Sequence, residues 1–225
     1  LIRIYTQSDS VLIKPFDKSN LPDTARLFNS GGDVRYATGL DHKISIPELE
    51  QLFTDIDNDD NSFMTCIYIK VPGVDQSDLP YGGVDHCKGG LLYEGADHCK
   101  GGLLYEGADH RQGGPSYEGV DRSGLQLRFA GICYGILSGH AVWIKQLSIL
   151  PEYRRRGIGS TAAELLMEYM KNSRVTAVAY ISVLEKNKSG LAFWRKLGFF
   201  EVTGFKKGLF AEKNPHHVII MQKKI

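Results

Sequence analysis

The stretch Leu147-Ser148-Ile149-Leu150-Pro151-Glu152-Tyr153-Arg154-Arg155-Arg156-Gly157-Ile158-Gly159-Ser160 decides how the rest of the chain is read. It starts as the end of an apolar strand over residues 141–150 and breaks at Pro151. Two glycines then bend it into an amphipathic helix over residues 159–171, where Ala162, Leu165, Leu166 and Tyr169 recur at helical spacing. Strand, glycine-opened turn, helix is the order an anion cradle requires. Glycine lets the main chain approach a phosphate with no Cβ in the way, and the unpaired amides of the first helical turn face the anion with the helix dipole behind them. Arg154, Arg155 and Arg156 add forked cations that suit phosphate oxygens, so a pyrophosphate is the natural ligand. A Gly-x-Gly turn by itself is weak evidence, since many are simple tight turns and a charge run is usually a solvated face. Two familiar phosphate loops are excluded by spacing. No Gly-Lys-Ser/Thr follows, and the third glycine and distant acid of the dinucleotide fingerprint are missing.

Working outward, residues 11–16 alternate around Ile13 as a strand. Asn20-Leu21-Pro22 then opens a helix with Leu21, Ala25, Leu27 and Phe28 on one face. Ser45-Ile46-Pro47-Glu48 has the form of a capped helix start, with Leu49, Leu52, Phe53 and Ile56 as its apolar stripe and an end near Asn58. Residues 63–71, 125–137, 175–183, 200–210 and 217–222 read as strands, and 189–196 as a short helix. Ser138-Gly139-His140 is the turn before the decisive strand.

Residues 73–124 break this pattern with a tandem repeat. Asp85-His86-Cys87-Lys88-Gly89-Gly90-Leu91-Leu92-Tyr93-Glu94-Gly95-Ala96 returns almost unchanged over 97–108 and diverges over 109–120. Each unit carries several glycines, which disfavour a helix. The flanking strands make it an insertion in a hairpin. It reads as a spacer, a lid over an acceptor site, or an oligomer contact, a homodimer in the simplest case. His86-Cys87 and His98-Cys99 do not make a metal site: adjacent ligands point apart, and Arg111 replaces cysteine in the third copy. No metal is expected.

A second block, Asn187-Lys188-Ser189-Gly190-Leu191-Ala192-Phe193-Trp194-Arg195-Lys196-Leu197-Gly198-Phe199, lies one strand beyond the turn. With Arg154-x-x-Gly157-x-Gly159, it resembles the paired signatures of the GCN5-related N-acetyltransferase (GNAT) family. The likeness covers residues 125–225 well and 10–72 loosely. It implies an α/β (α+β) fold with a mixed, mostly antiparallel central sheet and helices on both faces. The whole of residues 1–225 is then a single N-acetyltransferase domain carrying the repeat at 73–124. It implies acetyl-CoA as cosubstrate and an amine as acceptor. Leu147 and Ile149 would bond the pantetheine arm through their backbones, Leu147 N–H would meet the thioester oxygen, Arg154, Arg155, Arg156, Gly157, Ile158, Gly159 and Ser160 would hold the pyrophosphate, and Asn187 would meet the cofactor near its pantetheine.

Two departures from the family pattern bear on the chemistry. An alkyl amine titrates near 10.4, so a base or a proton-accepting water chain helps it become the nucleophile. The family's frequent strand glutamate is absent from Val142-Trp143-Ile144-Lys145-Gln146, leaving His140 and Glu185 as the nearest titratable replacements. Its frequent tyrosine acid falls at Trp194, which cannot protonate a thiolate and reads as a core aromatic. Tyr180 is the substitute if its ring faces the site. A thiol with pKa about 8.5 leaves tolerably without that proton. The expected function is acetyl transfer to a primary amine by direct attack on the thioester. The alternatives are a catalytically silent acyl-CoA-binding module whose repeat recruits a partner, and a binding array for which the rest is scaffold.

Composition is consistent with an ordinary globular chain. Among 225 residues, 42% are hydrophobic and 24% charged, and 27 basic residues nearly balance 26 acidic ones. Such a balance provides no global field for nucleic acid or a membrane surface, and neither partner is expected. No run approaches the roughly 20 apolar residues of a spanning helix, and the first residues lack a signal-peptide shape, so a cytoplasmic home is the expectation. Cys66, Cys87, Cys99 and Cys133 form no disulfide framework.

Overall fold

A hairpin with a long excursion at its tip organises the molecule. Strands β3 (Ser62–Val71) and β5 (Gln126–Ser138) pair antiparallel from Val71↔Gln126 to Ser62↔Ile136, so the chain on either side of the repeat returns to the same place in the sheet. The computed structural model describes residues 1–31, 42–72, 117–120, 125–173, 176–202 and 218–225. Most of the repeat, with His86, Cys87, His98, Cys99 and Arg111, and most of the expected strand over 200–210 lie outside them. Within the repeat's last copy, β4 (Tyr117–Val120) pairs with β5.

Around this hairpin the sheet runs β1-β2-β3-β5-β6-β7-β9-β8, where β1 is Thr6–Gln7, β2 Val11–Pro15, β6 Ala141–Ile149, β7 Val178–Leu184, β8 Phe200–Glu201 and β9 Val218–Lys224. All described pairs are antiparallel except β6 with β7. The connection between these two parallel strands is helix α3 (Ile158–Asn172), as parallel neighbours require a crossover. Strand β7 starts at Val178, three residues later than the apolar run suggests. Before it, the Thr176 hydroxyl donates to the Met170 carbonyl and the Ala177 amide to the His140 carbonyl, so these residues close the end of α3 and dock the strand.

Helices α1 (Leu21–Asn29) and α2 (Ile46–Asp57) pack on each other and against β3 and β5. Pro22 sits in the first turn of α1, where its missing N–H costs nothing. The Asn20 side chain, just before α1, donates to the Tyr68 hydroxyl at 2.8 Å, and both residues are fully buried. The rings of Phe16 and Phe53 meet at a tilt, with centroids 4.6 Å apart, between sheet and helix. The buried apolar residues of both halves form a single cluster running from Ile4 to Met221.

The start of α2 is the capping box its sequence announces. The Ser45 hydroxyl accepts from the Glu48 amide and donates to the Glu48 carboxylate, which also accepts from the Ser45 amide. Those bonds, with His42 at 3.1 Å, hold the Glu48 carboxyl down at about 2. Ser45→Ala is therefore expected to lower stability by about 1 kcal/mol, read from urea unfolding. An unchanged midpoint would show that α2 is held by packing alone.

Candidate active site

Parallel strands β6 and β7 are paired only from Ala141↔Val178 to Ile144↔Ile181. Both then continue on separate partners, β6 along β5 to Ile149↔Gly131 and β7 along β9 to Leu184↔Val218. A V-shaped gap thus opens in the middle of the sheet. At its apex the β5–β6 register shifts between Tyr134↔Gln146 and Gly135↔Ile144, which leaves Lys145 as the extra residue of a bulge. Bulges bend the strand that carries them, which accounts for the parting at this point.

The ladder on the other side of β6 tells which groups face the gap. The Leu150 amide donates to the Ala130 carbonyl on the β5 side. Peptide groups alternate in direction along an antiparallel strand, so Leu147 and Ile149 turn theirs away from β5 and towards the gap. The Ile149 carbonyl accepts from Arg154 Nε at 2.8 Å, which ties the following turn to the strand end.

That turn runs through a short 3-10 turn at Pro151–Tyr153 into α3. Arg155, at φ +61°, and Gly157, at φ +82°, both adopt the left-handed conformation. Left-handed residues within a turn make successive amides converge, as in an anion-binding nest. No side chain caps α3, and the amides of residues 155–160 have no hydrogen-bond partner among the described residues. Arg155 and Arg156 are exposed beside them. A Cβ built on Gly159 would lie 3.5 Å from Ile149 and 3.6 Å from Phe193, so this glycine is where α3 approaches both β6 and helix α4 (Lys188–Lys196).

Asn187 caps α4, with its side-chain oxygen accepting from the Gly190 amide at 2.8 Å and the Ser189 hydroxyl at 3.1 Å. A Cβ on Gly190 would strike that amide at 2.6 Å, which explains the glycine. Trp194 is buried edge-on against Phe193 and Phe199, a core aromatic as its helix face suggests.

The two candidate bases are not brought together. His140 lies one residue before β6, at the closed end of the V, with its carbonyl accepting from the Ala177 amide. Glu185 follows the last residue of β7 at the open end. At about 3.3 Å per residue, they are separated by roughly 25 Å along the strand direction. Tyr180 stacks on Trp143 at 4.8 Å, one pair before the apex. Cys133, paired with Leu147 across the ladder, is buried, and burial pushes its thiol far up, so it stays protonated and is no nucleophile.

Sequence reasoning passed over the polar pair Gln146 and Ser148, only 5% and 7% exposed. The signal was present in Gln-Leu-Ser, two polar residues at strand period in an otherwise apolar run.

Residues 124–199 match the model of the acetyltransferase (GNAT) family. Through this segment the chain is similar to the GNAT family. A curated N-alpha-acetyltransferase of Saccharolobus solfataricus is 35% identical over 77 residues, which are 34% of this chain and 44% of that protein, so the match spans less than half of its length. Among solved structures, the spermidine N-acetyltransferase of Vibrio cholerae in complex with CoA and spermine superimposes with a TM-score of 0.60 at 13% identity. That match covers 96% of both chains. An acetyltransferase of Salmonella typhimurium that modifies the N-terminal serine of a 50S ribosomal subunit protein gives 0.59 at 13% identity, over 97% of this chain and 96% of the other. At such identity these structures establish the fold: a mixed, mostly antiparallel GNAT sheet with helices. Acetyl-CoA is the cosubstrate of this family. Among the described residues no helix is long and apolar enough to cross a membrane.

Proposed function

We propose that this GNAT chain transfers the acetyl group of acetyl-CoA to a primary amine by direct attack on the thioester, with residues 1–225 acting as one unit around the inserted repeat. The observation that carries this is the parting of β6 from β7 beside a turn of unpaired amides. A diphosphate at one end and a peptide-like arm along a strand edge are what such a surface binds, as an added strand binds a sheet. The amides of residues 155–160, with Arg155 and Arg156, hold the diphosphate. Arg154 keeps the turn against Ile149. The Leu147 N–H meets the thioester oxygen as charge develops on it. Asn187 holds α4 close to the arm. With Cys133 kept protonated, the acetyl group passes to the amine with no acyl-enzyme on that thiol.

The proton of the amine leaves through water or through His140 or Glu185, each reached only through water, given their distance from the apex. The side chains at the apex, Trp143, Lys145, Gln146, Tyr180 and Ser182, include no carboxylate. That favours one competing reading, a silent acyl-CoA-binding module. Thiol release from acetyl-CoA over a panel of small amines and peptide N-termini separates the two. Amine-dependent release is the expected result. Calorimetric binding of acetyl-CoA with no release under any acceptor would support the silent module instead.

A further inference from the structure

The face of the sheet turned away from α3 has a cationic and aromatic character beside the apex of the gap. Ile149 meets Gly159 of α3 and pairs with Gly131, whereas Trp143 pairs with Ile136. Positions 131 and 136 are an odd number of residues apart along β5, so Trp143 stands on the opposite face from Ile149. Across that face the register runs Trp143↔Tyr180↔Gln222↔Phe200; the half-buried rings of Trp143 and Tyr180 stack, and Phe200 is 52% exposed. Lys145, the extra residue of the bulge, is exposed, and its Nζ lies 5.5 Å from the centre of the Trp143 ring, which puts its ammonium on this face. It is two residues from Leu147, about 7 Å along the strand. Among the described residues of β6 to β9, the other charge on this face is Lys224, paired with Val178, while Glu201 pairs with Met221 on the face of α3.

We propose that Lys145 sets the acceptor class: it selects an amine that carries an anionic group a few bonds away and turns away polycationic amines. This rests on the acetyl-transfer reading above, in which the thioester lies at Leu147 and the coenzyme comes in from the turn before α3, so that the acceptor arrives from the side of Trp143. An ammonium seated on an indole ring is held in place by the ring's quadrupole. An acceptor carboxylate gains an ion pair with it, while a second ammonium meets like charge. The same fixed charge favours the uncharged, nucleophilic form of the incoming amine. Two sources share this chemistry: the main-chain carboxylate of a small amino-acid-like acceptor, and an acidic side chain next to a peptide N-terminus.

The test is steady-state thiol release by the full chain with acetyl-CoA and matched acceptors. Alanine-glutamate-alanine and alanine-lysine-alanine, both amidated at the C-terminus, share one α-amine and differ in the charge beside it. At low salt kcat/KM is expected to favour the glutamate peptide about tenfold, and the preference should shrink as salt is raised. Alanine-alanine with a free or an amidated C-terminus tells whether a main-chain carboxylate serves as well. Lys145→Gln is expected to bring the ratio near one, Lys145→Glu to reverse it and Lys145→Arg to keep it, with the acetyl-CoA KM unchanged throughout. A ratio that stays the same in the Gln and Glu variants overturns the assignment, because Lys145 then only braces Trp143. So does wild-type protein that turns over the lysine peptide or spermidine in preference to the glutamate peptide, a result that leaves acetyl transfer intact. Wild-type protein that releases no thiol with any amine overturns the acetyl-transfer reading and this one together.

Discussion

Gly157→Asp is expected to abolish coenzyme binding, with affinity in calorimetric titration falling by more than about a hundredfold, or about 2.7 kcal/mol. The position sits at φ +82°, immediately before the first turn of α3. A Cβ there would meet nothing within 4 Å, so the effect does not come from crowding. An L-residue held left-handed costs about 1–2 kcal/mol, and aspartate is among the residues that bear it best. As a helix cap it would turn its carboxylate onto the amides of α3, filling the anion place and repelling a diphosphate. The helix should survive while the ligand does not. Gly157→Asn separates the parts of the effect. It caps equally well without charge, so an affinity between those of wild type and the Asp variant would show how much is electrostatic. Unchanged affinity in the Asp variant would mean that the phosphates bind elsewhere.

Gly131→Ala should destabilise the sheet by about 3 kcal/mol and lower the thermal midpoint by roughly 6–12 °C. A Cβ at Gly131 would lie 2.0 Å from the Ser148 carbonyl oxygen and 3.0 Å from the Ile149 side chain. The first contact is with backbone, which cannot rotate aside, so the end of β6 must move away from β5. Residues 147–149 and the turn tied to them by Arg154 would move with it, and coenzyme affinity should fall together with stability. Gly139→Ala makes a useful contrast. It lies at φ +58° with open space around it, so alanine adds only local backbone strain, about 1–2 kcal/mol. Differential scanning fluorimetry of the two variants checks the difference. Equal midpoints would show that β5 and β6 are packed less tightly than the close approach at Gly131 requires.

Much of the architecture was legible because its causes are local. The Ser45 capping box, Pro22 in the first turn of α1, the pattern around Ile13 in β2 and the β-branched and aromatic run of β3 each depend on residues within a few positions, and each element forms where its pattern lies. The turn before α3 is local in the same sense. Glycine at 157 is what allows the left-handed residue before α3, and no partner elsewhere in the chain is needed to create the free amides. The resemblance of residues 154–159 and 187–199 to family signatures held up in the match over 124–199.

The catalytic candidates fared differently, because nearness in sequence to the strand said nothing about which end of the V a residue would occupy. His140 and Glu185 each flank a strand that borders the gap, yet one closes its far end and the other stands at its mouth. Trp194 was legible as core from its helix face, whereas the face of Tyr180 was not settled until its ring was seen stacked on Trp143. Gln146 was hidden for the same reason: a polar residue in a strand is read as solvent-facing unless something covers it.

The sequence by itself determined the elements, the glycine-opened turn before α3 and the likeness of residues 124–199 to the GNAT family, since each rests on short-range sterics, capping and main-chain geometry. Tertiary structure alone decided where β6 leaves β7 and which side chains meet at that point. A bulge arises from the register between β5 and β6, and the parting from the different partners the two strands follow. Neither is a property of any one segment, because both depend on the pairing of strands distant along the chain.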